Sequence, residues 1–143
     1  LPHLADAVGP DGKVLAVDIE RSLVTPMRAR VRAAGLPQVE VRLGATDDPA
    51  LVGGEVDLVL LVDTYHHIDD RVAWFGRLRA TLRPGGRLAV VDFKPGDLPV
   101  GPPPAHRIAA ERVDAELVEA GGRLVAAPDV LPYQFVRIYE RAP

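Results

Sequence analysis

Residues 56–67 of the chain read Val-Asp-Leu-Val-Leu-Leu-Val-Asp-Thr-Tyr-His-His, and no other stretch limits the possible folds as sharply. Leu58 to Val62 are apolar without a break, the pattern of a parallel strand covered by helices on both faces of its sheet. Such strands offer their chemistry at the carboxyl end, where ligands bind in the crevice of an open α/β sheet. Here that end carries Asp63, Tyr65, His66 and His67. A site is expected at the tip of this strand.

The sequence on either side alternates between helix and strand. Leu1, Leu4, Ala5 and Val8 keep helical spacing up to the stop at Gly9-Pro10-Asp11-Gly12, like the last turns of a longer helix. Residues 13–19 form a short apolar strand that carries Asp18 near its end. Thr25 is expected to cap the next helix with Pro26 at its first position, because a proline deeper inside lacks a donor and clashes with the preceding turn. Met27, Val31 and Ala34 would line one face of that helix, and Gly35 would supply a left-handed stop. Residues 39–43 are the next strand.

Beyond the histidines, Asp69 or Asp70 is expected to cap a helix on which Ile68, Val72, Phe75, Leu78 and Leu82 repeat at helical spacing, with Trp74 on the same side, until Pro84-Gly85-Gly86. Residues 87–93 then form a buried strand with Asp92 near its end. The proline-rich residues 94–104 make a stiff surface loop. A further helix puts Val113, Leu117 and Ala120 on one stripe, and Gly121-Gly122 ends it. Only residues 128–133 separate the last two strands, 124–127 and 134–140. That is too short for a helical crossover, so they should pair as an antiparallel hairpin.

One domain covering residues 1–143 follows from this length and alternation. A net charge of -3 without blocks of like charge gives no electrostatic case for nucleic acid or an anionic membrane. No apolar run approaches the roughly 20 residues of a membrane-spanning helix. With no cysteine, any nucleophile or metal ligand is oxygen or imidazole nitrogen, and the composition is compatible with a reducing cytoplasm.

In chain order, Asp18 after a strand, Gly44 after a strand, Tyr65-His66-His67, and Leu82-Arg83-Pro84-Gly85-Gly86-Arg87-Leu88 before a strand and a closing antiparallel pair resemble a class I S-adenosylmethionine-dependent methyltransferase. The likeness covers essentially the whole chain. Its most specific piece is Leu-Arg-Pro-Gly-Gly-Arg-Leu, which is similar to the small-molecule methyltransferases that include the quinone-biosynthesis enzymes. The resemblance implies a Rossmann-like α/β sheet of order 3-2-1-4-5-7-6, mostly parallel with a C-terminal antiparallel hairpin. It also implies S-adenosyl-L-methionine as cofactor and a small-molecule methyl acceptor. The family's first strand and glycine-rich loop have no counterpart before Leu1, which implies an N-terminally truncated form.

Carried over residue by residue, the resemblance implies that Asp18 accepts the cofactor's ribose hydroxyls and that Ile19 packs against its adenine. In the Gly44-Ala45-Thr46-Asp47 turn the family often has Gly-Asp, whose carboxylate meets the adenine amino group. Ala45 stands in that acid's place here, and Asp47 could serve two positions later. Val62 and Asp63 correspond to positions beside the methionine part.

Methyl transfer asks the protein to align the acceptor with the methyl carbon and, for oxygen or nitrogen acceptors, to remove a proton. His66 or His67 is the natural base, since imidazole titrates near neutrality, and one of them at most is expected to act. The other would pack or bond near Asp69 in the next helix's first turn. A metal held by both histidines with Asp69 and Asp70 is disfavoured, because neighbouring side chains on an extended segment point opposite ways. Tyr65, Asp92, Lys94 and His106 flank the same edge and could shape the acceptor pocket.

Two other readings stay open. A nicotinamide-dinucleotide binder also places an acid after its second strand, although the terminal antiparallel pair argues against it. A degenerate, non-catalytic module would instead pair the family's second and fourth strands directly.

Overall fold

The computed structural model describes residues 1–141, which form two compact units, residues 1–50 and the chain from Leu51 onward. In the first unit α1 (Pro2–Val8) precedes β1 (Val14–Asp18), α2 (Arg21–Ala33) and β2 (Val39–Leu43). β1 and β2 pair in parallel from Val14 opposite Val39 to Asp18 opposite Leu43. Val24, Val31, Val39, Val41 and Ala5 make the core, with Met27 partly buried against it.

The start of α2 differs from expectation, since the helix begins at Arg21 and holds Pro26 inside it. The turn closes directly after β1: the Asp18 carboxylate accepts the Glu20 N–H at 2.8 Å, and the Glu20 carbonyl accepts the N–H groups of Leu23 and Val24. Pro26 then costs this helix one hydrogen bond near its start, less than delaying the helix to Thr25 would cost in lost turns. The inward stripe is therefore Val24, Met27 and Val31. Ala34 is the exposed C-cap, and Gly35, at φ +61°, supplies the left-handed stop.

The second unit comprises β3 (Val56–Val62), a 3-10 turn (Tyr65–His67), α3 (Arg71–Arg79), β4 (Leu82–Phe93), a second 3-10 turn (Pro104–His106), α4 (Ala110–Glu119), β5 (Gly122–Ala126) and β6 (Gln134–Arg141). Its strands run in the order β3-β4-β6-β5, with β3 and β4 parallel and β6 antiparallel to both its neighbours. The closing hairpin is as expected from its short connection. Among the described residues β1 pairs with β2 and β3 with β4.

Helices α3 and α4 lie on one face of this sheet, where Phe75, Leu78, Val113 and Leu117 pack on Val59, Leu61, Leu88, Val90, Phe135 and Tyr139. The other side of β3 corrects the expectation of a strand buried on both faces: Leu58, Leu60 and Val62 are 55%, 43% and 49% exposed. β3 is the edge strand of its sheet, and an apolar run reports hydrophobicity, not how many helical layers its own unit supplies.

A second correction concerns Leu82, which opens β4 opposite Val56 and does not extend α3. The Thr81 hydroxyl and N–H both bond to the Leu78 carbonyl, ending the helix a turn earlier than its apolar spacing suggested. Pro84-Gly85-Gly86 lies inside β4 as an irregularity, and the pairing jumps from Val56–Leu82 to Leu58–Arg87 across it. Asp70 is the N-cap by position only, at φ +43° with no side-chain bond to the helix. In the proline-rich loop, Arg107 donates to the carbonyls of Gly96, Pro102 and Val100 and ties the segment together.

Candidate functional site

Polar residues gather at two strand ends, one in each unit. β1 ends in Asp18, whose Oδ1 takes the Glu20 N–H; its other oxygen meets no protein donor among the described residues. Ile19 beside it is half exposed. At the end of β2 the chain doubles back at Gly44, where a Cβ would come within 2.9 Å of the Asp48 carbonyl and 3.1 Å of Val17, so only glycine fits. Ala45 and Asp48 exchange backbone hydrogen bonds of 2.8 and 3.2 Å, and Ala45, Thr46 and Asp47 are exposed. Asp48 is the turn-forming acid, since its carboxylate accepts the Ala50 N–H at 2.8 Å. The Asp47 carboxylate takes no hydrogen bond among the described residues and is open to solvent.

The end of β3 is built more tightly. Val62 is exposed, and Asp63 turns the chain at φ +50°, the left-handed region that aspartate tolerates better than most residues. Its N–H donates to the Val91 carbonyl at 2.8 Å, and its carboxylate accepts both weak bonds of the Gln134 amide, at 3.3 and 3.4 Å. The 3-10 turn follows at once.

Tyr65 does not face an acceptor. Its ring is fully buried, and its hydroxyl donates to Glu116 at 2.6 Å. Glu116 also receives two bonds from Arg71, at 2.6 and 3.0 Å, and one from Arg112. Arg71 chiefly, against the opposing effect of burial, holds the Glu116 carboxyl at about 2. Burial first, then the neighbouring carboxylate, pushes the Tyr65 hydroxyl above its usual range. Tyr65 thus anchors the turn to α4.

His66 points the other way, into a buried carboxylate. Its Nδ1 lies 2.9 and 3.0 Å from the two oxygens of Asp92, and its ring is only 4% exposed. Asp92 also accepts the backbone N–H of His66 at 3.2 Å and of Phe93 at 2.8 Å. The expected alternative partner near Asp69 is not used. His67 is exposed, and its ring packs against that of His66, tilted by 44° with 4.1 Å between centroids. Neighbouring histidines therefore do not diverge as an extended segment would make them. The segment winds as a 3-10 turn, which brings the rings to one side. Among the described residues no group of three or more histidine, aspartate or glutamate side chains is arranged to hold a metal ion.

The Lys94 ammonium bonds to Asp129 at 2.8 Å and to the Leu131 carbonyl at 3.0 Å, and lines an open cavity of about 460 Å³ with Ala110, Glu111, Phe135 and Arg137. His106 is exposed on the second 3-10 turn. Sequence reasoning set Asp92 among the residues flanking the edge and missed its bond to His66. It missed Gln134 altogether. The one available signal was the acid near the end of a second apolar strand; the parallel register of β3 with β4, Val62 opposite Val91, carries Asp92 to the turn.

Comparison with known proteins supports one family. A family profile described as a methyltransferase domain matches residues 1–88. The nocamycin O-methyltransferase of Saccharothrix syringae is 35% identical over 99 residues, 69% of this chain and 33% of that protein. An uncharacterized 37.1 kDa protein in transposon TN4556 of Streptomyces fradiae is 37% identical over 90 residues, 63% of this chain and 26% of that protein. The chain thus spans a third or less of these relatives. The crystal structure of a SAM-dependent methyltransferase from Aquifex aeolicus superimposes with a TM-score of 0.92 at 28% identity, covering 96% of this chain and 73% of the other.

Proposed function

The chain belongs to the class I S-adenosylmethionine-dependent methyltransferase family, and from that premise we propose that it transfers the cofactor's methyl group to a small-molecule acceptor. The observation that carries this reading is Asp18. A carboxylate at the end of a parallel strand, with one oxygen pinned by its own turn and the other without a protein donor, suits the hydroxyls of a ribose. Half-exposed Ile19 suits an adenine face, and the free carboxylate of Asp47 suits an amino group in the place where Ala45 supplies none.

We assign Ala45 and Thr46 to the same nucleoside end through their exposed backbone, and Val62 and Asp63 to the methionine end. Both units are then parts of a single methyltransferase domain. When bound, S-adenosylmethionine supplies an electrophilic methyl group on a sulfonium. The chain's own part is to orient the acceptor and to remove its proton, for which the histidines at the tip of β3 are the available base. Among the described residues no helix is long and apolar enough to cross a membrane, and a cysteine-free composition is compatible with a cytoplasmic enzyme.

Titration calorimetry tests the reading with S-adenosylhomocysteine and NADH as rival ligands. Binding of S-adenosylhomocysteine is expected. Binding of NADH in its place would transfer the chain to the dinucleotide binders, and binding of neither would end the enzymatic reading.

A further inference from the structure

We infer that the open cavity at the carboxyl end of β4 binds a neutral, flat ring compound that carries hydroxyl groups. The site lies wholly within the second unit and does not depend on the methyl-transfer reading.

The cavity measures about 460 Å³, within the range of roughly 300–1,000 Å³ that small-molecule sites occupy. It is walled by the end of β4 at Lys94 and Pro95, by the first turn of α4, and by the connection between β5 and β6. Cross-links hold these segments in place. The Lys94 N–H donates to the Tyr133 carbonyl at 2.8 Å, and its ammonium donates to Asp129 at 2.8 Å and to the Leu131 carbonyl at 3.0 Å. These bonds join β4 to the β5–β6 connection. Asp114 accepts from Arg137 Nε at 3.3 Å and from the Tyr139 hydroxyl, which joins α4 to β6. The walls are therefore formed before a ligand arrives, and little ordering cost remains for binding.

The apolar lining selects for shape. It consists of Pro95, Ala110, Ala127, Pro128 and Phe135, none of which has a long flexible side chain that could wrap around a ligand. Phe135 and Ala110 are its buried members, and the Arg137 guanidinium lies 5.7 Å from the centroid of the Phe135 ring. Rigid prolines and an aromatic ring under a planar cation suit a flat ring.

The charged lining selects for neutrality. Lys94 and Arg137 are balanced by Glu111 and Asp129, so the lining sums to zero. An ionised ligand gives up hydration to meet like charge as well as unlike, and a carboxylate reaching Lys94 only exchanges the Asp129 ion pair for another. A hydroxyl avoids both costs because it donates and accepts. Among the described residues Lys94 uses two of its three ammonium hydrogens and Arg137 two of its five. The exposed Glu111 carboxylate takes no hydrogen bond there. A ligand hydroxyl can thus accept from either cation and donate to Glu111.

Titration calorimetry on the full chain at neutral pH tests this with naphthol, naphthoate and naphthylmethylamine, which share a ring system and differ in charge. Naphthol is expected to bind at least about tenfold more tightly than either ion. Ala127→Trp, a change at an exposed position that fills the cavity, should weaken naphthol about tenfold or more with the circular dichroism spectrum unchanged. Glu111→Gln leaves the lining positive and should improve naphthoate about tenfold. It also decides the matter if Ala127→Trp does not fold.

The inference is overturned if none of the three probes binds, if either ion matches naphthol, if naphthol ignores the folded Ala127→Trp, or if naphthoate ignores Glu111→Gln. Adding S-adenosylmethionine to the naphthol complex separates two sources of such a ligand. A methylated product makes the cavity's ligand the methyl acceptor, and naphthol recovered unchanged makes it a different ring compound; both uphold the site. Failure to bind S-adenosylhomocysteine would remove the methyl-transfer reading and leave the naphthol measurements standing.

Discussion

Asp18 and Asp92 are both acids at the carboxyl end of a parallel strand, and the fold treats them in opposite ways. Asp18 is half buried, and a single N–H from its own turn leaves one oxygen to spare. Asp92 is 1% exposed and fully engaged, by His66 and by two backbone N–H groups. An open carboxylate can bind a ligand but contributes little to folding. A closed one cannot reach a ligand directly and holds the neighbouring ring in place. The difference lies in burial and in the number of donors, not in the residue or its position on the strand.

The contrast is sharpest in stability. Asp92→Ala should lower the unfolding free energy by about 3 kcal/mol in urea titrations, the scale of breaking a buried hydrogen-bonded pair by removing one partner. Asp18→Ala removes only a turn bond and should cost about 1 kcal/mol or less. Equal losses would erase the distinction. Ligand affinity should reverse the order, with Asp18→Ala weakening S-adenosylhomocysteine binding about tenfold, or about 1.4 kcal/mol, in calorimetry. An unchanged affinity would remove Asp18 from the site.

Glu116 supplies a third case, a carboxylate held by charged partners, whose contribution changes with pH only in acid. With its carboxyl drawn from 4.5 in the unfolded chain to about 2 by Arg71, its contribution is complete above pH 4.5 and is lost as pH falls towards 2. Urea midpoints followed across that window should drop in the wild type and drop less steeply in Glu116→Gln. Parallel acid limbs for the two proteins would detach Glu116 from the anchoring of Tyr65.

Much of the architecture was legible locally. Gly35 announced its stop, the stripe of Val113, Leu117 and Ala120 is buried as its spacing required, and six residues between the last strands forced an antiparallel return. The place of Asp18 at a strand end ahead of a helix was legible too, because that junction is itself a local pattern. Pro26 misled, because the cost of a proline inside a helix was weighed without the Asp18–Glu20 bond that starts the helix early. Leu82 misled because one apolar residue fits both the end of a helix and the start of a strand.

By itself, then, the sequence determined the alternation of strands and helices, the family and the strand tips where polar groups collect. These depend on spacing along the chain. Tertiary structure alone decided that β3 shows one apolar face to solvent, that Tyr65 turns inward to Glu116, and that His66 instead of His67 meets Asp92. His66 and Asp92 are 26 residues apart, and only the parallel register of β3 with β4, followed by a tight turn in place of continued strand, brings imidazole and carboxylate together. A contact of that kind has no period in the sequence to reveal it.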